Sequence, residues 1–430
     1  MPKLPLEGIR VIDITVVFAG PFATWLLGCL GAEVIRVDSI QHQPDMGRVF
    51  VVWPTQEMLN GLDGPRYPDE DPGESPWNRS AFFNRVGWNK LSCCINLKDP
   101  KGKDVFRRLI QKSDVFIENN SATAMEHLGL GPEDLLKVNP QLISINMPSY
   151  GRSGPYKDYV GWGENAETLT GHQWVRGYPD GDHPINNTPM FHMDSTGGTT
   201  AAIAAIMALR QRKKTGKGQA IDFGQIESFM PQLGEIYMDY AWNGRVQRTT
   251  GNRHTQFVQG TYLCRGHDAW VNITIHNDKE WEGLRKAFGN PAWMKAEKYS
   301  TRESRRACHD EIDEKIEEWT KIRDKDDAFH ILQSFGVPAG PVQYESDTYH
   351  DPHLLARNFF QVIHQEDTGT YRYPGFLWNM SETPSRVKNP PCLMGEHNDY
   401  VFREVVGMSE EEVSRLSEKK IIGGNRYEWA

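Results

Sequence analysis

Between Ile9 and Met147 short β-branched runs alternate with helical segments, and this rhythm restricts the possible folds more than any other property of the chain. Ile9-Arg10-Val11-Ile12-Asp13-Ile14 and Ala32-Glu33-Val34-Ile35-Arg36-Val37-Asp38 read as strands, with a helix from Pro21 to Leu30 between them. Further strands are expected at Ser92 to Asn96, Asp114 to Glu118 and Leu142 to Met147, separated by helices from Asp99 to Lys112 and Pro132 to Val138. A parallel neighbour can be reached only by a crossover, so the alternation predicts an α/β fold with a doubly wound parallel sheet. The first crossover starts Phe18-Ala19-Gly20-Pro21, where Gly20 permits a tight turn and Pro21 suits the first turn of a helix. It lacks G-x-G-x-x-G, which disfavours a nicotinamide cofactor even though Asp38 ends the second strand as a ribose-binding acid would.

The composition changes twice along the chain. From Trp53 to Trp88 it shifts to Pro, Gly, Asp, Glu and Asn, and a long surface excursion carrying Trp53, Trp77, Phe82, Phe83 and Trp88 is expected. After an amphipathic stretch from Gln225 to Gly244, Gly260 to Ile275 alternates like antiparallel strands. Helical patterns follow at Lys279 to Phe288 and His309 to Lys321, which together read as a smaller α+β domain. Residues 1–224 are assigned to the large domain, 225–250 to a linker helix and 251–335 to the small domain. Residues 336–430, with a strand-like Val337-Pro338-Ala339-Gly340-Pro341-Val342 and a helix from Glu410 to Glu418, are assigned to a linker and a return to the large domain.

At 430 residues with a formal net charge of -9 and no long basic run, neither nucleic acid nor an anionic membrane is indicated as a partner. The first residues hold no apolar signal core, and the longest apolar run, Ala201 to Leu209, is too short to span a bilayer, so a cytoplasmic location is expected. Cys29, Cys93, Cys94, Cys264, Cys308 and Cys392 show no C-x-x-C pairing and read as reduced thiols, with neither a disulfide framework nor a zinc site.

The chemistry concentrates at Phe191-His192-Met193-Asp194-Ser195-Thr196-Gly197-Gly198-Thr199-Thr200. It runs into an Ala-rich apolar segment ending in Arg210, Arg212, Lys213 and Lys214, which reads as a buried helix with a basic C-terminus. Asp194 thus falls at a helix start, and Gly197 and Gly198 remove bulk where amides could hold an anion or a developing oxyanion. The competing reading is that Asp194, Ser195 or Thr196 is an ordinary N-cap.

The chain resembles the class III CoA-transferase family, which includes formyl-CoA transferase and the carnitine and benzylsuccinate CoA-transferases. The resemblance is carried by Leu6-Glu7-Gly8-Ile9-Arg10-Val11-Ile12-Asp13, Ala19-Gly20-Pro21, Leu30-Gly31-Ala32-Glu33-Val34-Ile35-Arg36-Val37 and Lys98-Asp99-Pro100-Lys101-Gly102. It continues through Asp114-Val115-Phe116-Ile117-Glu118-Asn119, Gly151-Arg152-Ser153-Gly154-Pro155-Tyr156, Lys214-Thr215-Gly216-Lys217-Gly218-Gln219 and Gly336-Val337-Pro338-Ala339-Gly340-Pro341-Val342, as far as Gly395-Glu396-His397. It implies a Rossmann-like large domain, a small domain and an interlocked dimer, either a homodimer or a hetero-oligomer with a related subunit. It also implies Asp194 as nucleophile, a coenzyme A thioester such as succinyl-CoA as substrate, a carboxylic acid as acceptor, and no tightly bound cofactor or metal. By the same resemblance Glu164 matches an active-site glutamate. Lys98 and Asn119 match CoA contacts, His127 stands in for a basic residue that follows Asn119 in formyl-CoA transferase, and Val17, Phe18 and Ala19 lie where the family's backbone meets CoA.

Departures narrow the choice of member. Phe18 replaces a polar side chain of formyl-CoA transferase, and the mobile glycine-rich loop of that enzyme has no counterpart, since Gly251-Asn252-Arg253-His254 begins a different loop. Both argue against formate or oxalate as substrates. The family's α-methylacyl-CoA racemases use a histidine just before the position of Glu164; Val160-Gly161-Trp162-Gly163-Glu164-Asn165 has none, which favours transfer over racemisation. Phe18, Trp53, Trp88, Trp162 and Trp174 suggest a bulky or aromatic acyl group, and Arg176 with His172 could hold the second carboxylate of a dicarboxylic acid. A non-catalytic partner subunit is the alternative from another class, against which the retained Asp194 and its glycines speak.

Overall fold

The computed structural model describes residues 3–41, 47–61, 66–179, 181 and 192–428. By internal packing the chain forms two units, Met1–His172 with Asn187–Met238 and Asn358–Ala430, and Gln173–Asn186 with Asp239–Arg357.

The larger unit is built on six parallel strands: β1 (Arg10–Asp13), β2 (Glu33–Asp38), β3 (Lys90–Cys94), β4 (Val115–Glu118), β5 (Ile143–Asn146) and β6 (Gln219–Asp222). Their order is β3-β2-β1-β4-β5-β6, so the winding reverses between β1 and β4. The alternation within each strand explains the two layers. Val11, Val34, Val115, Ile117, Ile143 and Ile145 face a core shared with α1 (Ala19–Cys29), whereas Ile12, Ile35, Cys93 and Phe116 face the opposite core with α2 (Pro100–Gln111) and the C-terminal Val401, Phe402 and Leu416. Strands covered on both faces carry apolar residues on both sides, as Val11-Ile12 of β1 and Val115-Phe116-Ile117 of β4 do.

Two expectations are corrected. The Trp53 to Trp88 segment is a surface excursion only in its first part, where Trp53 and Met58 are exposed; from Pro76 onward it enters the core, with Trp77, Phe83 and Trp88 buried and Trp88 packed edge-on against Trp25 with ring centres 5.2 Å apart. The polar composition concealed these large core side chains, of which Trp77 and Phe83 belong to the short helices Pro76–Arg79 and Ala81–Gly87 and Trp88 follows the second. Residues 225–250 do not form one linker helix; they hold Gln225–Phe229, the 3-10 turn Met230–Leu233 and Gly234–Asn243, because Pro231 removes an amide from the helical ladder.

The smaller unit holds an antiparallel sheet of β7 (Val258–Leu263), β8 (Trp270–Ile275) and β9 (Ala339–Pro341), packed with helices Asp278–Ala287, His309–Thr320 and Lys325–Ser334 around Val271, Ile273, Leu284, Ile312 and Leu332. The returning segment adds the hairpin β10 (Gln361–Gln365) and β11 (Gly369–Tyr373) to the larger unit, and the helix Glu410–Glu418 starts and ends where expected. No described helix is long and apolar enough to cross a membrane.

Candidate active site

The helix carrying Asp194, α4, spans His192–Thr215, and a shorter one, α3, spans Gly163–Leu169. Beyond the glycines the buried positions of α4 are Ala201, Ala202, Ala205 and Ala208, so its backbone lies close against α1. Gly198 makes the tightest approach: a Cβ there would sit 2.5 Å from the Ala19 carbonyl oxygen. Gly197 is less constrained, its nearest neighbours being 3.6 Å or more away. Both glycines lie beyond the first turn of α4, where amides have intrahelical partners. Gly198 thus serves the helix approach, and the amide that meets the carboxylate comes from α1.

That amide is Ala19. Its N–H donates to Asp194 Oδ1 at 3.2 Å from the start of α1, 175 residues away in sequence. The other oxygen, Oδ2, is buried and has no hydrogen-bond partner among the described residues. It is overhung by the first residue of α3: a Cβ on Gly163 would lie 2.0 Å from Oδ2, so only glycine leaves the oxygen its space. The capping role belongs not to Asp194 but to Glu167, whose Oε1 accepts the Met193 amide at 2.8 Å.

Asp194 is only 4 % exposed, and burial pushes its pKa up to about 6. The Ala19 amide opposes that rise, the Glu167 charge adds to it, and the Arg85 guanidinium opposes it. Arg85 is itself pulled down to about 10 by burial, against the attraction of Asp194. Glu167 also meets His172 Nδ1 at 3.1 Å, and its carboxylate, His172 and His192 bring three ligand-type atoms within 4.8 Å of one another. Since both Glu167 oxygens already accept hydrogen bonds, the group acts as an orienting network at the N-terminus of α4.

The loop between β1 and α1 is held with unusual care. Val17 adopts φ 59, a left-handed conformation costly for a β-branched residue. Asn119, directly after β4, clamps the preceding residue on both sides, accepting from the Val16 amide at 2.7 Å and donating to the Val16 carbonyl at 2.8 Å. Strain of this kind persists only when surroundings impose it, and here the result is an Ala19 amide aimed at Asp194. The other side of the same loop opens into a cavity of about 380 Å³ lined by Thr15, Val16, Arg36, Ser39, Lys98 and Asn120, among others. It lies where the strand order reverses, the expected ligand position in an open parallel sheet.

A family model described as CoA-transferase family III matches residues 6–398. The chain belongs to that family. This transferase is 29% identical to a succinyl-CoA–D-citramalate CoA-transferase of Chloroflexus aurantiacus over 98% of this chain and 99% of that one. It is 30% identical to a succinyl-CoA–L-malate CoA-transferase beta subunit of the same organism, over 97% of this chain and 98% of the relative. A human succinyl-CoA:glutarate CoA-transferase is 27% identical over 97% of this chain and 90% of its own length. The crystal structure of a CAIB/BAIF family protein from Brucella suis superposes with a TM-score of 0.80 at 27% identity, covering 94% of this transferase and all of that chain.

Of the residues singled out from the sequence, Phe18, Ala19, Asn119, Gly198 and Asp194 meet around one loop and one helix turn, Val17 supplies the strained link, and Lys98 lines the adjoining cavity. Glu164 is half-buried on α3, where its carbonyl accepts from Thr168 Oγ1 at 3.0 Å, and the acid whose charge acts on Asp194 is Glu167, one helical turn further on. His127 is exposed on the short helix Ala124–His127, whose Ala124 and Met125 reach the cavity. Trp88 is core, and His172 is engaged by Glu167. The sequence reading passed over Gly163, Glu167 and Arg85. A glycine opening a short helix three residues after Val160 was the one available signal for Gly163; nothing local distinguishes Glu167 or Arg85 from solvated charges.

Proposed function

We propose that this transferase moves CoA from succinyl-CoA to a free carboxylic acid through covalent intermediates on Asp194. The observation that carries the reading is the unequal treatment of the two carboxylate oxygens: Oδ1 is held by the Ala19 amide, while Oδ2 is buried and unpartnered among the described residues. A nucleophilic carboxylate needs one oxygen fixed and the other available. Ionised Oδ2 attacks the thioester carbonyl, the C–S bond breaks, and CoA leaves as thiolate with a mixed anhydride left on Asp194. The thiolate then attacks the Asp194 carbonyl, releases the donor acid as carboxylate and forms an aspartyl-CoA thioester. The acceptor carboxylate attacks that thioester, regenerating thiolate and a second anhydride. Attack of the thiolate on the acceptor's acyl carbon yields the new CoA ester and frees Asp194.

In the steps where thiolate or acceptor attacks Asp194 itself, negative charge builds on Oδ1, and the Ala19 amide is the donor already pointed there. Succinyl-CoA is favoured as donor because relatives near 30% identity carry that name. Lys98 and Asn119 are assigned to CoA, Lys98 because it brings a basic group to the cavity beyond the loop and Asn119 because it shapes that loop. A second copy of the chain is the expected partner: Ile203, Ile206 and Met207 form an exposed apolar face on α4, which a lone large unit would leave in water. The named alpha and beta subunits among the relatives keep a hetero-oligomer as the other arrangement, and sedimentation of the purified chain distinguishes the two.

The direct test is mass spectrometry of protein incubated with succinyl-CoA and trapped with hydroxylamine or borohydride. Modification is expected on the peptide holding Asp194 and absent from Asp194→Ala, which is also expected to lose exchange by at least about 10³-fold. Exchange that survives in the alanine variant would refute the assignment.

A further inference from the structure

Arg85, on the helix Ala81–Gly87, lies between two rings, its guanidinium carbon 4.1 Å from the Phe18 ring centre and 4.5 Å from that of Phe82. Phe18 directly precedes the amide that holds Asp194. Nε and Nη2 of Arg85 are shielded from solvent, yet neither has a hydrogen-bond partner among the described residues. The same side chain lines a cavity of about 300 Å³ together with Arg66, Tyr67, Arg79, Asn84 and Arg372. Tyr67 is 8 % exposed and its hydroxyl is likewise unpartnered among the described residues. Arg79 differs, since its N–H groups are committed to the carbonyls of Pro68, Asp71 and Asp367. Arg85 and Tyr67, which both line the cavity, thus carry three donor atoms without a partner among the described residues, two of them on a cation.

A buried guanidinium without a counter-ion is costly. In the resting protein the negative charge of Asp194 acts on Arg85. On the proposed pathway that charge vanishes whenever Asp194 is acylated, so the cation must be balanced from another source. A monocarboxylic acid cannot supply the balance, because its one carboxylate is the reacting group. An acid with a second carboxylate keeps that charge through every step. We propose that this cavity is the subsite for the distal carboxylate of a dicarboxylic acyl group, with Arg85 and Tyr67 as its hydrogen-bond donors. The proposal rests on the reading of Asp194 as the acylated residue.

The test compares succinyl-CoA with butyryl-CoA, equal in carbon count but differing in the distal carboxylate, for wild type, Arg85→Gln and Tyr67→Phe. The ratio of kcat/KM for the two donors is expected to fall about 10²-fold in Arg85→Gln and roughly 5- to 10-fold in Tyr67→Phe. An equal fractional loss for both donors would mean that Arg85 acts only on Asp194 and overturns the subsite. A loss that follows weakened binding of free CoA would place the anion site under a CoA phosphate and overturn it too. Should Arg85→Gln fail to fold, Tyr67→Phe, which removes one oxygen, decides by the same ratio. Equilibrium binding of free succinate against butyrate separates the two readings. If wild-type Asp194 is never acylated, the catalytic reading fails, while succinate binding that is lost in Arg85→Gln still supports the subsite and its retention there refutes it.

Discussion

Asp194 keeps its proton up to about pH 6, and a protonated carboxyl cannot attack a thioester. The expected pH profile of kcat/KM therefore falls roughly tenfold per unit below about pH 6; activity unchanged at pH 5 would contradict the nucleophile. The same shift has a consequence for stability. Because the folded chain binds this proton more tightly than the unfolded chain, the contribution is most favourable below about pH 4 and is lost as pH rises through 6. With the carboxylate ionised at pH 7 the cost is on the order of 3 kcal/mol. Asp194→Asn is expected to be inactive yet more stable at pH 7 by about 1–3 kcal/mol, with the gain disappearing in thermal melts toward pH 4. Gly163→Ala would push a methyl against Oδ2, and a loss of about 10²-fold or more in kcat is expected. The sequence singled out Asp194 because a lone acid precedes paired glycines and an alanine-rich helix. It left Gly163 unread, because a glycine that must be absent-minded of bulk shows its reason only beside the oxygen it spares.

At the level of elements, the site is a meeting of α4 with the strained loop that opens α1. The two glycines of α4 are predicted to behave differently. Gly198→Ala is expected to destabilise by about 1–3 kcal/mol, because the added carbon meets the Ala19 carbonyl, and to lower activity by displacing the Ala19 amide. Gly197→Ala meets nothing closer than 3.6 Å and is expected to be neutral or slightly stabilising. Urea titrations of the two variants check the contrast, and equal effects would mean that the helices are not in this close register. Local pattern located most elements to within about two residues, as at the helix Pro132–Val138, because β-branched runs and caps act locally. It missed β6, whose Gln219, Ala220 and Asp222 are exposed and carry little apolar signal; that strand is defined by pairing with β5.

The larger unit as a whole is tied together by a charge network under the sheet. Lys90 of β3 reaches Asp13 of β1 at 3.0 Å, Arg36 of β2 reaches Asp38 at 2.9 Å, and Arg48 joins Asp38 at 2.9 Å while donating to the Cys392 carbonyl at 3.0 Å. All five charged side chains are buried, and their attractions hold both carboxylates below the usual range despite desolvation. Lys90→Met leaves Asp13 with Arg36 at 3.9 Å as its nearest cation and is expected to cost about 3–5 kcal/mol in chemical denaturation, although no residue of the network touches Asp194. The amino-acid order alone was enough to determine the winding of the sheet, the helix that carries Asp194 and the family, since periodicity and short motifs are properties of neighbouring residues. Which oxygen of Asp194 is free, which acid stands beside it and where Arg85 and Tyr67 leave their donors unused were decided by tertiary structure. Those facts depend on atoms brought together from segments up to 175 residues apart, and no local pattern records such distances.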